Sequence, residues 1–311
     1  MKVLVMGSGG VGGFFGAVLA RSGVDVWFMA RGRHLEAMKR DGLRIRSSVG
    51  NWTVPAGTMS NNPGDAGPVD LVLFCVKSYD TEQAAAQVSP VLSSDSVLIS
   101  LQNGIDNEET LHRLLPAATV LGGAAYISAR ITAPGEIAET GGIQRLTFGP
   151  LFGRADKRAS EILSMFLRGG IKADLKQDMH SELWRKFSFI TSVGSLTALT
   201  RLNHSEMLAS PETMDLVFAA MKETEAVTHA HRIPFEPLIP EKVIEGLKRF
   251  DSDTRSSMYY DLVNQRPLEI ESLNGTIVRM GKEANVPTPI HQTIYASLLP
   301  YHRLHSSMHR S

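Results

Sequence analysis

Up to about residue 177, short apolar runs alternate with amphipathic stretches; beyond it only a helical rhythm remains. Val3–Met6, Val24–Met29, Asp70–Val76, Val97–Leu101 and Thr119–Ala125 are almost continuously apolar. Such runs predict strands of a parallel sheet buried on both faces. The segments between them carry apolar residues at helical spacing: the stretch after Gly9, His34–Arg40, Thr81–Leu92, and a helix with Glu108 and Glu109 in its first turn. Gly42–Val54 alternates enough for one or two strands, and Pro55–Pro68 reads as a surface loop. From Ile127 to Phe148, runs broken by Pro134-Gly135 and Gly141-Gly142 predict antiparallel strands capping the sheet. Ala155–Leu167 predicts a helix and Ile171–Leu175 a last strand. Helices are expected over about 179–200, 211–232, 238–250, 254–262, 267–284 and 288–303.

The first apolar run meets Gly7, and Gly7, Gly9 and Gly12 form G-x-G-x-x-G at the start of a small-residue helix stopped by Gly23. Gly7 allows a tight turn out of the strand, Gly9 lets backbone approach a pyrophosphate, and Gly12 lets helix pack on strand. The backbone of Ser8, Gly10 and Val11 completes the turn, and the helix N-terminus offers N–H groups and partial positive charge to phosphates. The second run ends at Arg31, with no carboxylate before Glu36. An NAD site usually places an acid there, whereas a guanidinium suits a 2′-phosphate, so NADPH is the expected cofactor. The predicted class is α/β: an N-terminal Rossmann-type doubly wound parallel sheet over residues 1–177, then an all-α domain over 178–311 for substrate and subunit contacts.

Composition narrows the partners. With 43% apolar and 21% charged residues the chain suits a soluble globular protein, and 311 residues suit two domains. Basic and acidic residues both number 32, which argues against nucleic acid or an anionic membrane as main partner. No run approaches the ~20 apolar residues of a membrane span, and no signal peptide is seen. Cys75 is the only cysteine, fitting a reducing cytoplasm, and reads as buried filler. The His- and Ser-rich tail from His302 reads as frayed, and no metal site is expected.

Ligands of open parallel sheets bind beyond the carboxyl ends of the strands. Lys77 and Asn103 follow two such ends, and Ala125 closes a third strand at the cofactor. Lys77 can reach a phosphate, a ribose or the reacting acid; Asn103 can hold nicotinamide or substrate. Lys186 lies in an otherwise apolar helix, where desolvation lowers a lysine's pKa and suits it to general-acid work; the alternative is a solvated helix face. Ser256 and Ser257 can bond a carboxylate or hydroxyl, or cap a helix. Glu269 can accept from a ribose or carboxamide, or pair with Lys186, and shares a helix face with Ser272 and Leu273.

Taken in order, GSGGVG with Arg31, VKSYD, QNGID, LWRKF, SSMYYD and LEIESLNG make the chain resemble the ketopantoate reductases (2-dehydropantoate 2-reductases) over nearly its whole length. The resemblance implies NADPH-dependent reduction of ketopantoate to pantoate, a step of pantothenate biosynthesis. It implies Lys186 as general acid, Asn103 and Ser257 on the substrate, Lys77 on cofactor or substrate, and Glu269 orienting the cofactor. It is compatible with a homodimer. One departure stands out: the family usually has Asn four and eight residues after the lysine, where this chain has Ile190 and Gly194. Ser192, Ser195, Thr197, Asn203 and His204 are the nearby candidates to replace them. A reductase of another 2-oxo acid with a less polar tail, and a non-catalytic NADPH-binding regulator, are the competing readings.

Overall fold

The computed structural model describes residues 1–151 and 153–310. It divides into two compact units, Met1–Gln102 with Asp106–Met179, and Asn103–Ile105 with His180–Ser311.

The first unit carries strands β1 (Lys2–Met6), β2 (Asp25–Met29), β3 (Leu43–Arg46), β4 (Trp52–Val54), β5 (Met59–Ser60), β6 (Leu71–Phe74), β7 (Val97–Ser100), β8 (Thr119–Ala133), β9 (Glu136–Gly149) and β10 (Lys172–Leu175). Its helices are α1 (Gly10–Arg21), α2 (Gly32–Asp41), α3 (Thr81–Val88), α4 (Asn107–Leu114) and α5 (Lys157–Arg168). The strands form one sheet in the order β4-β3-β9-β8-β7-β6-β1-β2-β5, with β10 beside β9. β2, β1, β6, β7 and β8 run parallel. After β1 the chain pairs on one side with β2 and returns on the other with β6. The strand order therefore reverses at β1, where open sheets bind their ligands.

Successive strand residues serve opposite faces. Val3, Val5, Leu71, Leu73, Val97 and Ile99 pack with Phe14, Phe15 and Phe166 from α1 and α5. Leu4, Met6, Val72, Phe74 and Leu98 pack with Ala84, Ala85, Val88 and Leu111 from α3 and α4. That is why the strands read as unbroken apolar runs.

The antiparallel strands expected as a cap instead extend the sheet. β8 and β9 pair along their length with register shifts at Ile127/Ser128 and Ile131/Ala133. β9 then aligns in parallel with β3 through its first residues and with β10 through its last. The loop expected at Pro55–Pro68 contains β5 and a 3₁₀ turn, Pro63–Ala66, capped by Asn62. The helix expected through Leu92 stops at Val88, because Pro90 sits in a 3₁₀ turn, Ser89–Val91.

The second unit is helical: α6 (His180–Phe189), a π-turn (Ile190–Gly194), α7 (Ser195–Thr200), α8 (His204–Leu208), α9 (Pro211–Ala230), α10 (Pro240–Lys248), α11 (Ser257–Val263), α12 (Asn274–Glu283) and α13 (Pro289–Arg310). Trp184, Phe187, Val217, Met221, Leu273 and Ile294 belong to its single core. The C-terminal tail is helical rather than frayed. His302 Nδ1 accepts from Leu268 N at 3.1 Å, and His305 Nδ1 donates to Arg266 O at 2.9 Å. Among the described residues no helix is long and apolar enough to cross a membrane, and no three potential metal ligands cluster.

Candidate functional site

In the first unit, Gly7, Gly9 and Gly12 occupy the three distinct environments the motif requires. Gly7 has φ +102°, and a Cβ there would lie 2.8 Å from Val76 N. A Cβ on Gly12 would lie 2.4 Å from Gly7 O and 2.9 Å from Val5 Cγ1, so only glycine lets α1 seat against β1. A Cβ on Gly9 would meet nothing within 4 Å, leaving open space above the turn. Gly10 is needed for a reason the sequence did not show: a Cβ would drive into Ala129 O of β8. Gly9 is the N-cap of α1, with no side-chain cap and no acid in the first turn. No cap and no first-turn acid therefore takes the N-terminal N–H groups of Gly10, Val11 and Gly12. The Ser8 hydroxyl is buried beside them without a partner. Open space, uncapped amides and an orphaned hydroxyl fit a dinucleotide pyrophosphate.

His34 secures this turn, a role missed in the sequence because nothing marks it except proximity to Arg31. Gly135 N donates to its Nδ1 at 3.0 Å, which leaves the proton on Nε2 to donate to Ser8 O at 3.0 Å. Burial lowers the His34 pKa, and the bond to Ser8 opposes that shift. The neutral ring ties the Gly7–Gly12 turn to the β8–β9 connection.

Arg31 stands past the end of β2 as the N-cap residue of α2. Its guanidinium is 75% exposed and pairs with Asp80, which follows β6. Lys77, half-buried, precedes the short turn carrying Asp80. Cys75 is also half-buried rather than buried; it lies one residue past the end of β6, with its N–H bonded to Met6 O at 2.8 Å. Ala125 is buried within β8, well short of that strand's end.

The other expected residues belong to the second unit. Asn103 lies half-buried in the turn before Gly104, whose φ is +121°. Lys186 and Ile190 are half-buried on α6 and the π-turn, and Gly194 is buried. The π-turn has a local cause. Thr191 Oγ1 donates to Phe187 O at 2.9 Å and Ser192 Oγ to Ser188 O at 2.7 Å, which loosens the helical ladder. Thr191 O accepts from Asn274 Nδ2 at 2.9 Å, so Ser195 N reaches back to Ile190 O instead. Four residues of α-helix over-rotate by about 40°, and the wider π-turn offsets that drift. Lys186, Ile190 and Gly194 therefore share one line along the helix.

Asn274 is the second residue the sequence did not single out, although a polar residue in an apolar helix pattern is a signal. Ser195 Oγ donates to its Oδ1 at 2.6 Å, and its Nδ2 lies 3.0 Å from His291 Nδ1. His291 Nε2 donates in turn to Ala220 O at 2.9 Å. Burial lowers the His291 pKa to about 4, so the ring is neutral.

None of the hydroxyl candidates for the missing asparagines is available. Ser192, Ser195 and Thr197 are buried and bonded to Ser188 O, Asn274 and Gly194 O respectively. Asn203 caps α8 through a capping box with Glu206. His204 is buried against Phe250, with ring centroids 5.1 Å apart, and its Nδ1 has no partner. Of the two serines, Ser256 is the N-cap of α11 and donates to Gly194 O at 2.6 Å. Ser257 begins that helix and is exposed. Glu269 is buried but not on a helix face with Ser272 and Leu273 as expected. α12 begins at Asn274, and residues 269–273 form a turn in which Ser272 Oγ donates to Glu269 O at 3.2 Å.

Comparison with known proteins agrees with this architecture. The profile of the family described as "Ketopantoate reductase PanE/ApbA" matches residues 3–153, and that of its C-terminal domain matches residues 178–302. "Uncharacterized oxidoreductase YkpB" of Bacillus subtilis (strain 168) is 30% identical over 97% of this chain and 99% of its own length. The 2-dehydropantoate 2-reductase of Halobacterium salinarum is 29% identical over 94% of this chain and 96% of its own. The crystal structure of a PanE/ApbA family ketopantoate reductase from Ralstonia eutropha JMP134 superposes with TM-score 0.88 at 29% identity, covering 98% of this chain and all of that one.

Proposed function

The chain belongs to the ketopantoate reductase family, and from that premise we propose that it is an NADPH-dependent reductase of a 2-oxo acid, with Lys186 as general acid. The observation that carries the reading is the uncapped, glycine-lined start of α1 with Arg31 past the adjoining strand, in a chain whose LWRKF segment around Lys186 resembles the family's. A reduced nicotinamide, when bound, supplies the hydride that adds to C2 of the acid. As the carbonyl electron pair moves onto oxygen, the Lys186 ammonium donates a proton there and is reprotonated from solvent. The amides opening α1 hold the pyrophosphate, Arg31 the 2′-phosphate, and Lys77 the cofactor or the acid. Asn103 and Ser257 bond the substrate, and Glu269 orients the cofactor.

Ketopantoate is the first candidate substrate. One finding favours a second reading, a 2-oxo acid with a less polar tail. Ile190 and Gly194 offer no donor on the line of Lys186, and the hydroxyls around them are engaged internally. Each missing bond to a buried polar group costs ~1.5–3 kcal/mol, so two losses lower kcat/KM by ~10²–10⁴-fold. The test is kcat/KM for ketopantoate beside 3,3-dimethyl-2-oxobutanoate, which lacks only the hydroxyl. Equal or higher kcat/KM for the latter supports the apolar-tail reading, and a strong preference for ketopantoate refutes it. NADPH oxidation with no 2-oxo acid of a broad panel would refute the reductase reading and favour a silent regulator.

A further inference from the structure

Asp80 sits at the N-cap of α3, where an aspartate ordinarily accepts from a helix N–H, yet its side chain makes no capping bond. It accepts instead from Arg31 Nη2 at 2.5 Å. Arg31 follows β2 and Asp80 follows β6, and those strands flank β1 on opposite sides. The pair therefore crosses the carboxyl end of β1, beside the turn opened by Gly7. An exposed ion pair of this kind adds little stability. Its location matters more, because it places a carboxylate on the one guanidinium that marks the end of β2.

Resting on the dinucleotide reading above, we propose that Asp80 sets the choice between 2′-phosphorylated and unphosphorylated dinucleotides by competing with the 2′-phosphate for Arg31. A 2′-phosphate must displace the carboxylate and then meets a like charge. A free 2′-hydroxyl does neither; it donates to the carboxylate, as it does to the acid at the strand end of NAD sites. Arg31 and Asp80 pull selectivity in opposite directions, and the preference of the protein is the difference between them.

The test is calorimetric titration of the full chain with adenosine 2′,5′-bisphosphate and with 5′-AMP at fixed ionic strength. Asp80→Asn keeps the side-chain size and its capping ability. It should tighten bisphosphate binding by ~3–10-fold and weaken AMP binding by up to ~3-fold, raising the ratio of affinities by about tenfold. In the Arg31→Ala background the gain for bisphosphate should shrink, since no guanidinium remains to be contested. A ratio that stays unchanged or falls in Asp80→Asn overturns the competition while leaving the dinucleotide reading intact. A wild-type chain that binds neither probe overturns both.

Discussion

Lys186 is the residue on which the proposed chemistry turns. Lys186→Ala should lower kcat by roughly 10²–10⁴-fold, the usual contribution of a general acid, and leave the Kd for NADPH nearly unchanged. Stopped-flow turnover and fluorescence titration of the cofactor separate the two effects, and an unaltered kcat would remove Lys186 from the mechanism. His291 governs a different property. Its pKa is lowered to about 4 by burial, whereas the unfolded chain titrates near 6.5. The unfolded state thus binds the extra proton, and the stability tied to the neutral ring is complete above pH 6.5 and lost as pH falls toward about 4. The loss is at most ~3 kcal/mol. His204, lowered to about 4 by the same cause, adds a loss of the same sign. Urea midpoints at pH 7.5 and 4.5 should therefore differ in the wild type, and His291→Gln should remove about half of that difference.

At the scale of elements, the π-turn after α6 depends on a side chain of α12 as well as on its own hydroxyls. Asn274→Ala would leave Thr191 O, Ser195 Oγ and His291 Nδ1 buried without their partner. We expect a loss of about 3 kcal/mol in urea unfolding, together with a fall in kcat at unchanged NADPH affinity, since the turn sets the line of Lys186, Ile190 and Gly194. This turn was not legible in the sequence, because its local hydroxyl bonds act together with a contact between residues 191 and 274. The glycine turn was legible, because Gly7, Gly9 and Gly12 each answer a constraint within one strand and one helix. The parallel strands were legible as apolar runs for the same local reason. The antiparallel pairing of β8 and β9 was legible too, but not that they extend the sheet rather than cap it, since residues 126–134 are mostly half-exposed and carry no strong alternation. Glu269 shows the converse error: its helical spacing was real, but residues 269–273 form a turn that precedes α12.

For the whole molecule, a ligand that binds only the folded chain raises stability by mass action. At 100 times its Kd, NADPH should add about 2.7 kcal/mol, a rise of several degrees in the melting midpoint, and NADH at equal concentration should add less. Equal shifts from the two would contradict the role given to Arg31. The π-turn, finally, bears on which changes in chain length the fold tolerates. A π-turn is an α-helix carrying one surplus residue. Deleting any one residue of 190–194 would restore an unbroken helix, and by backbone propensity alone that should be harmless. It would also turn everything from Ser195 onward by about 100° relative to Lys186, taking Ser195 away from Asn274 and Thr197 away from Ser256. Point substitutions in this segment are graded in their effects, whereas single-residue deletion there should abolish folding of the helical unit.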